Sequence, residues 1–336
     1  MKRCFSMFLC LCLCLSLLLI PGCAQQNEPA LMSVTLSEVA HSIFYAPQYA
    51  AIELGYFEQE GIDLTLINSA GADKVMTALL SGDADIGLMG SEATIYVYNE
   101  GSSDPVINFA QLTQRAGNFL VAREPVPDFT WDSLRGQKVL GGRRGGMPQM
   151  VFEYILKQHG IDPEKDLDID QSINFGLTAA AFMENDADFT VEFEPFATSL
   201  EKEGSGHIVA SLGVDSGYVP YTAYSMPQSA LEKNPQLAER FTNAIQRGLN
   251  YVNSHTAEEI AAVIAPQFPE TDSESLATIV ERYRSQDTWK KDTIFTREAF
   301  LLLQDILDLA GELAKPVDYE VLVTTEFSAR AAEKIR

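Results

Sequence analysis

Between residues 32 and 89 the hydrophobic pattern changes period four times. Met32–Ser37 (MSVTLS) and Ile62–Ile67 (IDLTLI) alternate apolar and polar residues with the period of two that suits a half-buried strand, and Asp85–Met89 makes a third strand. Between them, Ala46–Leu54 and Ala72–Leu80 have helical spacing. Pro47 fits the first helical turn, where its missing N–H costs nothing, and Gly55 fits the position just past the end. This β-α-β-α-β order predicts parallel strands joined by crossover helices. The order returns as a strand at Lys138-Val-Leu-Gly-Gly142, a helix over Pro148–His159, a strand over Leu167–Asn174, a helix over Thr178–Glu184 and a strand over Asp188–Phe193. From about Gln228 the chain is mostly helical, with capping-box patterns at Thr256…Glu259 and Thr271…Glu274. Ser81–Ile86 (SGDADI) and Glu184–Phe189 (ENDADF) both join a helix to a strand. Aligning them sets Ser91 opposite Glu194, so the chain reads as two similar α/β halves.

In open parallel sheets ligands bind beyond the carboxyl ends of the strands. That rule selects Ser37–Tyr45, Gly90–Ala93, Gly141–Met147, Asn174–Thr178 and Glu192–Phe196. If the two sheets face each other, these loops line one interlobe cleft.

Composition narrows the function. The 336 residues include 24 basic and 47 acidic ones, a formal charge of −23, which repels phosphate backbones and anionic headgroups and so excludes nucleic-acid and polybasic membrane binding. All five cysteines lie within the first 23 residues, so the remaining chain has no disulfide, no cysteine-ligated metal and no thiol nucleophile. Lys2-Arg3 followed by the apolar run Phe5–Ile20 is too short for a spanning helix and fits a secretory leader. Ile20-Pro-Gly-Cys23 resembles the bacterial lipobox, which implies cleavage after residue 22, acylation of Cys23 and a short polar tether over residues 23–31.

The stretch from His41 to Leu64, and most of all Gly55-Tyr-Phe-x-x-Glu-Gly-Ile-Asp63, resembles the opening of a bacterial solute-binding family that serves ABC importers for thiamine-pyrimidine precursors, alkanesulfonates and nitrate. SGDADIG, the run from Trp131 to Ile161 and Glu194-Pro195 keep that family's order. The resemblance implies a type II periplasmic-binding-protein fold, two α/β lobes closing over ligand, with lobe 1 at 32–115 and 223–336, lobe 2 at 116–222, and hinges near Asn108–Ala122 and Tyr218–Met226.

Candidate residues divide by chemistry. By that resemblance His41 sits where pyrimidine binders place a cleft histidine, able to donate and accept at a heterocycle edge; the alternative is a loop histidine. Tyr45 offers a stacking face, whereas Phe44 reads as core. In Gly141–Pro148 the amides of Gly145, Gly146 and Met147 open a helix and suit an anion or ligand oxygen; Arg143 and Arg144 either assist or are solvated. Glu192 and Glu194 fall on one side of an alternating strand and suit amino or ring N–H groups. Glu194 matches the family's acidic position, or else caps the following helix. Asn174, Ser91 and Tyr221 follow from loop position alone. No catalytic motif, metal set or cofactor motif is present. The expectation is an exported, lipid-anchored, monomeric receptor that hands a small molecule to an ABC permease and breaks no bond. Its first ligand class is an uncharged or weakly basic aromatic heterocycle such as a thiamine-pyrimidine precursor. An anion (alkanesulfonate, nitrate or aromatic carboxylate) is the alternative, and an enzyme on the same fold the remote one.

Overall fold

The computed structural model describes residues 30–173 and 176–335. The leader, Cys23 and Asn174 therefore lie outside the described residues. Among the described residues, ten strands form two five-stranded sheets. The first contains β1 (Met32–Glu38), β2 (Ile62–Asn68), β3 (Ile86–Met89), β4 (Val106–Thr113) and β10 (Thr222–Pro227), ordered β2-β1-β3-β10-β4. The second contains β5 (Asn118–Ala122), β6 (Lys138–Leu140), β7 (Asp168–Asp170), β8 (Phe189–Phe193) and β9 (His207–Ser211), ordered β7-β6-β8-β5-β9. The α/β class and the repeated β-α-β order follow the sequence pattern.

The parallel rule holds only within each half. β1 runs parallel to β2 and β3, and β6 to β7 and β8. β10 runs antiparallel to β3 and β4, and β5 antiparallel to β8 and β9, because each of these strands enters its sheet from the other half. The chain crosses between sheets over residues 114–117 and returns over residues 212–221. The crossings lie side by side: the Val219 N–H donates to the Gln114 carbonyl at 2.9 Å, and the Thr113 and Thr222 hydroxyls are 2.7 Å apart.

Local chemistry explains most element ends. Pro47 occupies the first turn of helix Ala46–Glu53, and Thr256 with Glu259 closes a reciprocal capping box. The Thr271 box does not form. Asp272 caps helix Ser273–Ser285 instead, its carboxylate accepting the Ser275 N–H at 3.0 Å, because it stands one residue nearer the helix. Of the strand expected over Leu167–Asn174, the described residues form strand at Asp168–Asp170. The amphipathic helix Pro235–Ser254 packs on Ala46–Glu53 through Gly248, where a Cβ would stand 2.1 Å from the Pro47 carbonyl oxygen. Among the described residues, no helix is long and apolar enough to cross a membrane.

Candidate functional site

A cleft between the two sheets is lined from both sides. Tyr45, Gly90, Glu92 and Thr222 come from the first half, and Asn118, Arg143, Gly146, Met147, Thr178, Glu192, Phe193 and Phe196 from the second, with Tyr221 on the returning crossing. Its cavity volume is about 70 Å³, and about 760 Å³ when all non-atom space including the open mouth is counted, so the two sides stand close together. Tyr45 and Tyr221 supply buried aromatic surface. Behind them Phe44 is fully buried, 5.2 Å from the Tyr45 ring, 5.6 Å from Phe193 and edge-on to Tyr221 at 5.5 Å. The crossing makes room for it at Gly117, where a Cβ would fall 2.5 Å from the Phe44 ring.

Two carboxyls face this aromatic slot, each 2% exposed. Glu192 accepts hydrogen bonds from the Thr178 hydroxyl at 2.9 Å and the Thr190 hydroxyl at 2.6 Å. Burial nevertheless raises its pKa to about 7, the two hydroxyls opposing the shift. Glu92, in the first turn of helix Glu92–Asn99, is also raised to about 7 by burial. The Arg143 guanidinium and the Met147 backbone amide act in the opposite sense. The free end of helix Met147–Gln158, which suits an anion, thus faces one of the protein's own carboxyls. Gly90 permits this, since a Cβ there would stand 2.1 Å from Glu92 Oε2. Arg143 is also ion-paired to Asp73 at 3.5 Å.

Of the residues singled out from sequence, Tyr45, Gly146, Met147, Glu192 and Tyr221 line the cleft. Four others lie elsewhere. His41 is outside the lining: its Nδ1 is 2.7 Å from the buried Glu38 carboxylate and its Nε2 2.8 Å from the Gln267 carbonyl oxygen. The bond to Glu38 raises its pKa. Glu194 is fully buried but outside the lining. It accepts the Thr198 N–H at 2.9 Å, at the start of helix Phe196–Lys202, and pairs with Arg282 at 2.8 Å. β8 ends at Phe193, so the two-residue period that grouped Glu194 with Glu192 stops before it applies. Ser91 is buried beside the cleft without lining it. The Gly145 N–H is taken by the Gln149 side chain at 2.9 Å and its carbonyl accepts from Tyr96 at 3.2 Å. Of the loop arginines, Arg143 lines the cleft, whereas Arg144 pairs with Glu312 at 3.0 Å.

Sequence reasoning passed over Glu92, Asn118 and Thr178. Glu92 and Thr178 lie inside segments chosen by the strand-end rule, but Asn118 opens a hinge-side strand that the rule does not reach. Among the described residues, no group of His, Cys, Asp and Glu side chains could hold a metal ion.

Comparison with known proteins matches binding proteins and also, at 24% identity over 225 residues, the 4-amino-5-hydroxymethyl-2-methylpyrimidine phosphate synthase THI11 of Saccharomyces cerevisiae, covering 62% of this chain and 63% of that one. The model of a family described as NMT1/THI5 like matches residues 43–259. The putative binding protein YtlA of Bacillus subtilis (strain 168) is 45% identical over 327 residues, covering 97% of each chain. The riboflavin-binding protein RibY of Chloroflexus aurantiacus is 23% identical over 316 residues, 90% of this chain and 88% of its own. The solved ligand-binding component of an ABC-type import system from Staphylococcus aureus matches with a TM-score of 0.73 at 15% identity, covering 89% of this chain and 99% of that one. The architecture is that of the two-lobed periplasmic-binding-protein fold.

Proposed function

This chain belongs to the NMT1/THI5-like family, and on that premise we propose that it is an extracytoplasmic receptor for a small aromatic heterocycle, delivered to an ABC importer. The 45% relative is named a binding protein, and RibY binds riboflavin, a fused aromatic heterocycle. The neighbour from S. aureus is a component of an import system. The role is capture and release: ligand is held between the lobes, residues 32–115 with 223–336 against 116–222, and the closed form docks on the permease. No bond is broken. Export, acylation of Cys23 and attachment to the outer face of the membrane rest on the leader and on Ile20–Cys23.

The observation that carries the ligand class is the position of Glu92. A helix N-terminus and Arg143 would together attract an anion, but they face an internal carboxyl, and Glu192 also lines the cleft. A sulfonate or nitrate entering here would meet both, and each repels it once ionised, as pH rises through about 7. A neutral ring finds aromatic faces and two carboxyls that, with pKa about 7, donate or accept a hydrogen bond near neutral pH.

A thermal-shift panel of aminopyrimidines, riboflavin, sulfonates, nitrate and aromatic carboxylates tests the reading. A ligand at about 100 times its Kd adds about 2.7 kcal/mol, enough to raise Tm by several degrees. A shift with heterocycles is expected. A shift with anions alone would keep the receptor role and overturn the ligand class.

A further inference from the structure

The polar groups of the cleft are not all engaged. Glu192 receives two threonine hydroxyls, and Arg143 is paired with Asp73. Two buried atoms on lining residues stand apart: Glu92 Oε2 and Asn118 Nδ2 have no hydrogen-bond partner among the described residues. Asn118 is fully buried, and its Oδ1 accepts from the Tyr221 hydroxyl at 2.5 Å, which assigns the amide nitrogen as the group left to donate. Glu92 Oε2 reaches its position only because residue 90 is glycine. Buried polar atoms are almost always paired, so an orphan acceptor and an orphan donor in one cleft are a pattern for a ligand to complete.

We infer that Glu92 and Asn118 form a ligand-reading pair for an uncharged ring that presents a hydrogen-bond donor to Glu92 and an acceptor to Asn118, the pattern of amino-azines and of ring lactams or imides. The inference rests on the receptor reading above and deepens it. Glu92 follows β3 of the first sheet and Asn118 opens β5 of the second. A ligand that completes both atoms therefore touches both halves, and the closed form is selected by ligand chemistry rather than by shape alone. Saturated or fully alkylated rings would leave one atom orphaned and bind poorly.

The test is isothermal titration of the purified protein with 4-amino-5-hydroxymethyl-2-methylpyrimidine, its 4-dimethylamino counterpart, which lacks the donor, lumichrome, a ring imide, and benzenesulfonate. Wild type should bind the aminopyrimidine or lumichrome, and the dimethylamino compound at least tenfold more weakly than the aminopyrimidine. Glu92→Met and Asn118→Leu should each weaken binding of the preferred ring at least tenfold, and Glu92→Gln, which keeps an acceptor oxygen, less. If the aminopyrimidine is the ring bound, Glu92→Met should bind the dimethylamino compound no worse than wild type does, a cycle that a merely structural loss would not close. Unchanged circular dichroism controls for folding. Heterocycle binding that ignores both substitutions overturns the pair and leaves the receptor reading intact. Binding of benzenesulfonate alone, or of no probe, overturns the pair together with the heterocycle class.

Discussion

The Glu192 carboxyl allows a stability prediction that needs no knowledge of the ligand. With a folded pKa of about 7 and an unfolded value near 4.5, the native state holds a proton that the unfolded chain has released between about pH 4.5 and 7. Stability must therefore fall as pH rises through that window and level off above it. For one such group the loss between pH 5 and pH 8.5 is about 2–3 kcal/mol. Glu192→Gln keeps the shape and has nothing to ionise. The Thr178 and Thr190 hydroxyls, at 2.9 and 2.6 Å, can rotate to serve an amide as well as a carboxyl. At pH 5 the variant should lie within about 1 kcal/mol of wild type. At pH 8.5 the difference between the two should have moved by about 2–3 kcal/mol in the variant's favour. Urea unfolding at both pH values, with m unchanged, measures this directly. All other carboxylates are common to both proteins and cancel. Parallel pH profiles for wild type and variant would refute the claim that burial raises the Glu192 pKa.

Other outcomes follow from the same packing. Gly117→Ala places a Cβ 2.5 Å from the Phe44 ring, and the overpacking should cost about 1–3 kcal/mol in urea unfolding while disturbing the aromatic back of the cleft. Arg282→Ala removes the cation from fully buried Glu194. Because the guanidinium is partly exposed, the expected loss is about 2–3 kcal/mol, and the double variant with Glu194→Gln should recover part of it in a double-mutant cycle. Gly90→Ala would push a Cβ into the Glu92 carboxyl, the far end of a flexible side chain. It should leave Tm nearly unchanged and lower affinity for the preferred heterocycle about tenfold; unchanged affinity in calorimetry would argue against the Glu92 position.

Much of the architecture was legible in the chain alone, because the hydrophobic period belongs to each segment before it packs. The alternation in MSVTLS and IDLTLI, the proline at residue 47 and the repeated β-α-β order led to two α/β halves, and the strand-end rule named loops that meet at the cleft. Tyr45, Gly146, Met147, Glu192 and Tyr221 all lie in its lining. What the sequence could not settle was the choice between neighbours, since that depends on partners far away in the chain. Glu92 rather than Ser91 faces the cleft because of how the first turn of its helix sits against the second half. His41 is held by Glu38 and by Gln267, 226 residues on. Glu194 lies past the last residue of β8, where the chain leaves the sheet and alternation loses its meaning, and it joins Arg282 instead. Asn118 becomes part of the cleft only because two crossings run side by side. Local periodicity determines which elements form; burial, charge pairing and the meeting of two halves decide which side chain at the end of each element looks into the cleft.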